Sequence, residues 1–368
     1  MQFLMQLKIP YCRLLLNPLR LRFCEYRTFI LCAFCALIPL SSFSAPVTHN
    51  VERKIASFRP IWVDPKGDTI YTDTALKHSE NAPIWVDSAA LKRRKKTFIY
   101  GSIGFTVGVH TGLYFAWYKD HPMGGFRFHN DLPDWKQMDK LGHAFSAYYL
   151  GIVGYEMSTY AGYSHSKAAM HGLVLGTGFQ TLIEVLDGFS QNWGASVPDL
   201  VANTVGSALF FSQQHYFKEQ RILLKYNYLE SGWAEYRPNL LGSNVAERVL
   251  KDYNGQSYWL SFNPYTLLNK KEKWIPRGVN IALGYSADGM LGSVKNKWVD
   301  SEGNTRDFLH IQRSRSLYLG PDIDWVRLLN PKKKSWKRAL IVLNSIKVPL
   351  PALAWNPQQS GLHWVWLR

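Results

Sequence analysis

From residue 97 to residue 217 apolar side chains return every three or four positions, the period of a helix with one buried face. Four long helices are predicted, over about 97–118, 134–160, 167–187 and 197–217. Beyond residue 218 the period shortens to two. Alternating runs at 257–262, 279–286, 308–318, 322–328, 339–348 and 361–367 read as strands, with Asn254-Gly255 and Asp288-Gly289 as turns between them. The expected fold class is α+β: a four-helix bundle followed by an antiparallel, β-rich C-terminal portion.

Start and stop signals support the helices. Ser166 is placed to cap the third, and Asp187-Gly188 to end it. Ser196-Val-Pro-Asp199 has the form of a capping box with proline in the first turn. Small residues at four-residue spacing, Gly104, Gly108 and Gly112 on the first helix and Gly172 and Gly176 on the third, allow close helix approach. Each apolar core runs roughly 18–22 residues, or about 30 Å, enough to span a bilayer. His110, His143, Glu156, His171 and Glu184 interrupt those cores, so the pattern fits a membrane-embedded bundle and a peripheral one alike.

The N-terminal 44 residues have the order of a secretory signal peptide: a basic stretch, the apolar run 29–40, then small residues ending at Ser44, which leaves Ser42 at the −3 position. Four cysteines, Cys12, Cys24, Cys32 and Cys35, are confined to it, so the body has neither a disulfide nor a thiolate metal site. Neither Cys32 nor Cys35 has a lipoprotein-box context. Residues 45–96 read as an irregular exported segment. It carries Pro-Ile-Trp-Val-Asp twice, at 60–64 and 83–87, read as two short segments that dock through Trp62 and Trp85. It closes on the basic run Lys92, Arg93, Arg94, Lys95 and Lys96, either a solvated linker or an attraction to an anionic membrane. Residues 97–218 form the helical portion and 219–368 the β-rich one. A basic run on the exported side of an apolar helix opposes the charge rule for an inner-membrane span, which favours the periplasm or outer membrane. The last run, His363 to Arg368, resembles the closing strand of an outer-membrane barrel, but six strands are fewer than such barrels use. A sheet packed on the helices is expected instead.

Composition changes the picture in two ways. Aromatics make up 14% of the chain, which suits membrane-interface belts. The formal net charge of +16 calls for an anionic partner, and with no nucleic-acid motif and an exported start that partner is a membrane lipid or cell-wall component.

The candidate chemistry lies at helix ends. Asp139, His143 and Ser146 are spaced i, i+4, i+7; so are Gln180, Glu184 and Asp187, and Asp199, Asn203 and Gly206. In an up-down-up-down arrangement the start of the second helix, the end of the third and the start of the fourth meet at one end of the bundle, beside the polar loop 119–132. The candidate catalytic residues are His143 as a base, with Asp139 and Lys140. Gln180, Ser196 and Asn203 are candidate ligand-binding residues, and Glu184, Asp187 and Asp199 candidate ligands of a divalent metal. Lys140 and helix N-terminal amides also suit an anionic headgroup. The competing reading has Ser196 and Asp199 as caps and His143 as a bond between helices. His110, His165 and His171, lacking carboxylates at helical spacing, read as structural, and His121 and His129 as loop residues.

Trp135-Lys-Gln-Met-Asp139-Lys140-Leu-Gly-His143, Glu184-Val-Leu-Asp187-Gly188 and Gly194-Ala-Ser196-Val-Pro-Asp199-Leu-Val-Ala-Asn203-Thr-Val-Gly206 together resemble the YfiM-like predicted periplasmic lipoproteins, a bacterial family of unknown function. The long Bacteroidetes form also matches at 251–260 and 282–290, so the resemblance covers roughly residues 95–365. The order of the motif is similar to that of VanZ-like membrane proteins. The resemblance implies a location and a motif, not a reaction. The expected function is an exported envelope protein whose bundle-end site takes an anionic lipid or cell-wall ligand, with or without a metal. The alternatives are a hydrolase of lipid-linked or phosphorylated envelope substrates, and a structural protein whose polar network locks its helices.

Overall fold

A computed structural model describes residues 58–63, 69–71, 84–119, 121–268, 274–357 and 361–366. The signal peptide and its four cysteines lie outside the described residues. The architecture is mixed, with helices in the N-terminal half and an antiparallel sheet in the C-terminal part.

The two Pro-Ile-Trp-Val-Asp copies pair with each other. Strand β1 (Phe58–Val63) is flanked by β2 (Thr69–Tyr71) and β3 (Ile84–Asp87), and Ile61 of the first copy stands opposite Ile84 of the second. Helix α1 (Ser88–Leu113) begins directly after β3, so the basic run 92–96 is helical rather than a linker. A π-helical turn, Tyr114–Tyr118, ends it. Helices α2 (Met138–Tyr160), α3 (His165–Phe189) and α4 (Val197–Phe217) follow. Ser164, not Ser166, precedes α3, and the helix runs past Gly188 to Phe189. Ser196 caps α4 as its sequence pattern requires, its hydroxyl accepting from the Asp199 N–H at 3.0 Å.

Helices α2, α3 and α4 pack closely because glycine lets their backbones touch. A Cβ on Gly206 would run into the Ala144 carbonyl of α2, one on Gly176 into the Ala147 carbonyl, and one on Gly172 into the Gly151 carbonyl. The Phe210 ring fills the space between Gly151 and Gly172 and is wholly buried. Helix α1 differs: it has no buried residue, and Gly104, Gly108 and Gly112 face open space. It leans on α3 through Phe105 against Phe179 and through His110, which bonds the Phe179 carbonyl at 3.1 Å. His165 and His171 bond Tyr155 and Ser158 of α2 at 3.0 and 2.7 Å. By length and composition, α3 alone among the described helices is apolar enough to cross a membrane.

The C-terminal sheet comprises β6 (Ile222–Tyr228), β7 (Gln256–Phe262), β8 (Val279–Asp288), β11 (Ser314–Ile323), β12 (Pro351–Asn356) and β13 (Gly361–Trp366), in the order β13-β12-β11-β8-β7-β6, every pair antiparallel. A short hairpin, β9 (Lys297–Val299) with β10 (Thr305–Asp307), interrupts it. Two expected strands are absent. Residues 339–343 complete helix α5 (Lys334–Leu343) and 344–348 follow it as a turn and irregular chain, and 322–328 hold only the end of β11 before a helical turn, Trp325–Leu329. In an aliphatic run such as Ala339 to Val342 the apolar stretch fits either period, and Leu340 docks as a helical residue. Helix α2 joins the two halves. Tyr148 and Tyr149 donate to the Ile222 and Leu224 carbonyls at 3.1 and 2.8 Å, and Phe145 packs on Tyr226 and Tyr258.

Gly206→Ala is expected to destabilise the protein by about 1–3 kcal/mol, because the α2–α4 contact has no room for a methyl group. Gly108→Ala, on the open face of α1, is expected to stabilise by about 0.5–1 kcal/mol through helix propensity. Thermal unfolding of the two variants reads the opposite signs directly.

Candidate functional site

The residues before α2 adopt a conformation that L-amino acids avoid. Trp135, Lys136 and Gln137 have φ of 46°, 49° and 67°, a left-handed turn that costs about 1–2 kcal/mol per residue. Contacts from the sheet half hold it in place. The Ser293 carbonyl accepts from the Trp135 N–H at 2.8 Å, the Tyr285 hydroxyl donates to the Lys136 carbonyl at 2.6 Å, and Arg315 donates to the Gln137 side chain at 2.8 Å. The chain therefore enters α2 at an angle that turns both Asp139 and Lys140 inward, and both are buried in its first turn.

Lys140 is the hub. Its ammonium lies 2.6 Å from Asp131, 2.8 Å from Asp139 and 2.9 Å from Asp199. Asp131 comes from the loop before α2. Parallel pairing of β4 (Phe128–His129) with β5 (Ala195–Ser196) brings that loop against the start of α4. The Ser196 hydroxyl, besides capping α4, donates to Asp131 at 2.5 Å.

One turn further along α2, His143 faces α3 and α4. Asn203 Oδ1 accepts from its Nδ1 at 3.0 Å, which leaves Nε2 to face Asp199 Oδ2 at 3.9 Å. Glu184 Oε1 lies 3.7 Å from Nδ1. The Glu184 side chain is 3% exposed; Oε2 accepts the Ser196 N–H at 2.9 Å, while Oε1 has no hydrogen-bond partner. A buried orphan carboxylate oxygen is a costly arrangement that a cation would relieve. Ligand-capable atoms of His143, Glu184 and Asp199 all lie within 4.8 Å of one another, as do those of Asp131, Asp139 and Asp199. Two ligands of one transition-metal ion about 2.1 Å away sit roughly 3.5 Å apart, so modest contraction would close the first set on an ion.

Seven of the nine candidate residues, Asp139, Lys140, His143, Glu184, Ser196, Asp199 and Asn203, thus share one network. Gln180 borders it, reaching the His143 carbonyl at 3.4 Å. Asp187 is engaged elsewhere, accepting from the Tyr118 hydroxyl at 2.7 Å. His121 bonds Asn192 and packs edge-on against Trp193. The spacing did not single out Asp131 or Tyr118. Asp131 stands in a polar loop with no periodicity, and Tyr118 is the last residue of the first predicted helix; only their nearness to that helix end marks them. Tyr258 of β7, whose hydroxyl is pushed up by burial and by Asp139, lines the network from the sheet side.

Burial and mutual repulsion govern the charges. Burial raises Asp139 to about 7 against the pull of Lys140, with Asp199 and Asp131 adding repulsion. Burial raises Glu184 to about 8 and Asp187 to about 6. Asp131 and Asp199 shift in opposite directions. Burial pushes Asp131 up, but hydrogen bonds from Asp199, Lys140 and Ser196 hold it below the ordinary carboxylate range, and Asp199 is raised. Burial alone would lower Lys140; the surrounding carboxylates outweigh it and hold the ammonium above its usual value. One lysine in a cluster of four carboxylates, Asp131, Asp139, Glu184 and Asp199, leaves an acidic excess that protons or a cation must balance.

A family model described as predicted periplasmic lipoprotein (DUF2279) matches residues 130–213. The matched stretch holds Asp131, all of α2 and α3 and the site residues of α4, and it ends before the sheet. The description fits an exported, periplasmic chain. No curated protein and no solved structure matches.

Because Asp139, Glu184 and Asp187 titrate near 7, 8 and 6 in the folded protein, well above ordinary carboxyls, the folded state binds more protons than the unfolded one between about pH 4 and 8. Stability in chelator is therefore expected to fall as pH rises through that window, and Glu184→Gln to flatten the fall; melting midpoints across the range test this. Lys140→Met removes the hub cation from three carboxylates and is expected to cost about 3–5 kcal/mol, read by denaturant unfolding at neutral pH.

Proposed function

We propose that the protein is an envelope component whose helix-end site binds a divalent transition-metal cation through His143, Glu184 and Asp199, and through that cation takes an anionic lipid or cell-wall ligand. The observation that carries this reading is the buried, unpartnered Glu184 oxygen beside His143 and Asp199, in a cluster with more acid than base. Imidazole with carboxylates is a ligand set for zinc, manganese or iron, and the Asn203 bond to Nδ1 is the kind of partner that fixes the tautomer leaving Nε2 for a metal.

An anionic group has no direct counter-charge here. Lys140, the one ammonium in the cluster, is already surrounded by Asp131, Asp139 and Asp199. An anion entering without a metal would meet only carboxylates, whereas a bound cation supplies the missing positive charge. His143 is the least buried member of the triad, its side chain 20% exposed, so the cation's open positions lie on its side.

The test is metal content and affinity. Wild-type protein is expected to retain about one equivalent of metal after dialysis, or to bind zinc or manganese in calorimetry, and to melt at a higher temperature when loaded. Glu184→Gln and Asp199→Asn are expected to lose the metal while remaining folded. Wild type that binds no divalent metal, with variants as stable as the parent or more so, would reduce the cluster to a helix lock. Turnover of an envelope phosphoester by the loaded protein, abolished by His143→Ala, would instead make it a hydrolase.

A further inference from the structure

The end of the molecule remote from the acidic site has the opposite character. At the C-terminus of α2, about 25 Å along the helix from His143, the Tyr160 ring is approached by two guanidinium groups from distant parts of the chain. Arg94 of α1 lies 5.0 Å from its centroid and Arg338 of α5 lies 5.8 Å away. Lys95 sits 5.0 Å from the neighbouring Tyr163 ring. These contacts draw together the two basic runs, 92–96 and 332–338. Neither α1 nor the stretch 331–343 contains an acidic residue.

Each cationic run continues into exposed apolar surface. On α1, Ile99, Ile103 and Val107 form an uncovered stripe at four-residue spacing; on α5, Trp336 and Leu343 are exposed. A basic start followed by an apolar face is the make-up of a helix that lies in a membrane interface.

The sheet has the same character on this half of the molecule, because its pattern is inside out. Trp259, 1% exposed, and the buried Lys225, Ser261, Asn280 and Asp322 occupy one face. The other carries a cross-strand row, Leu260, Leu283, Leu319, Leu353 and Trp364, in which Leu283 is 49% and Trp364 71% exposed. The register orients this row. Tyr285, two residues past Leu283, bonds Lys136 at the acidic end, and Ile222, across from Phe262, bonds Tyr148 farther along α2. Leu283, Ile281 and Val279 therefore lead away from the acidic site toward the cationic end.

We infer that this half of the molecule is a docking surface for an anionic phospholipid bilayer: the basic runs contact headgroups, and the apolar rows of α1, α5 and the sheet enter the acyl boundary. A bilayer is the occupant because the surface joins a cationic patch to apolar rows with protruding tryptophans. The open strand order, with β6 and β13 at the edges, suits a sheet seated on a membrane rather than a closed barrel across it. The inference does not depend on the metal reading.

The test is flotation of the purified chain with vesicles of phosphatidylcholine alone or mixed with phosphatidylglycerol. Binding to the anionic vesicles only, weakened by salt, is expected. Lys334→Gln with Lys337→Gln, both exposed positions, is expected to lower the partition coefficient roughly thirtyfold. Leu283→Ser with Leu319→Ser is expected to lower it roughly tenfold. Acyl-brominated lipid is expected to quench tryptophan fluorescence of the wild type. Wild type stripped with chelator is expected to float like the metal-loaded protein, which separates this result from the metal test. Equal partition into both vesicle types, or flotation unchanged by the lysine pair, would overturn the inference. So would absence of flotation together with a detergent-free dimer that the leucine pair dissociates, since the covering partner would then be a second copy of the chain.

Discussion

Everything at the acidic end depends on one buried ammonium. Lys140 holds three carboxylates that reach it from different parts of the chain: Asp139 from its own helix, Asp131 from the preceding loop and Asp199 from α4. Without that charge the three would repel one another in a site mostly closed to water. With it they pull the loop, the start of α2 and the start of α4 onto a common point. Ser196 reinforces the junction by bonding Asp131 and the Asp199 backbone at once. His143 and Asn203 inherit their positions from this junction, since each lies within two turns of an end it has fixed, and Glu184 of α3 is tied to it through the Ser196 N–H.

Two further features make the arrangement possible. Glycines at Gly172, Gly176 and Gly206 bring the helix backbones into contact, so side chains on three helices can reach one point. The left-handed turn at Trp135 to Gln137 swings Asp139 and Lys140 inward, and the sheet half supplies the bonds that offset its strain. The sheet thus acts on the site without lending it a charged group: Tyr285, Arg315 and the Ser293 carbonyl hold the turn, and Tyr258 closes the wall beside Asp139. Charge is segregated along α2, acidic at its N-terminal end and cationic around Tyr160, which gives the molecule a direction.

Much of this was legible in the chain. The 3.6-residue period located α2, α3 and α4 to within a few residues, because each has an apolar face and a polar or glycine boundary. The capping box at Ser196 specified the start of α4. Helical spacing selected Asp139, His143, Glu184, Asp199 and Asn203, since i, i+4, i+7 positions share a face whatever the partner, while Lys140 and Ser196 were marked by the motif and the capping box. Periodicity failed where a run was aliphatic throughout, at Ala339 to Leu343, and where strands were too short or mixed to alternate clearly, as in β6 and β12. The glycine spacing on α1 matched that on α3 yet meets nothing, because spacing states that a close approach is possible and not that a neighbour arrives.

Local pattern thus determined the helices, their caps and the faces that carry acid and imidazole, since those follow from backbone geometry and side-chain period. Tertiary structure decided which charges meet. It brought in Asp131 through the β4–β5 pairing, surrounded Lys140 with carboxylates so that it no longer offers a free charge, and turned Asp187 to Tyr118. It also joined two basic runs more than 200 residues apart over one tyrosine ring. Ion pairs, strand register and strained turns are non-local: their energy depends on groups brought near by folding.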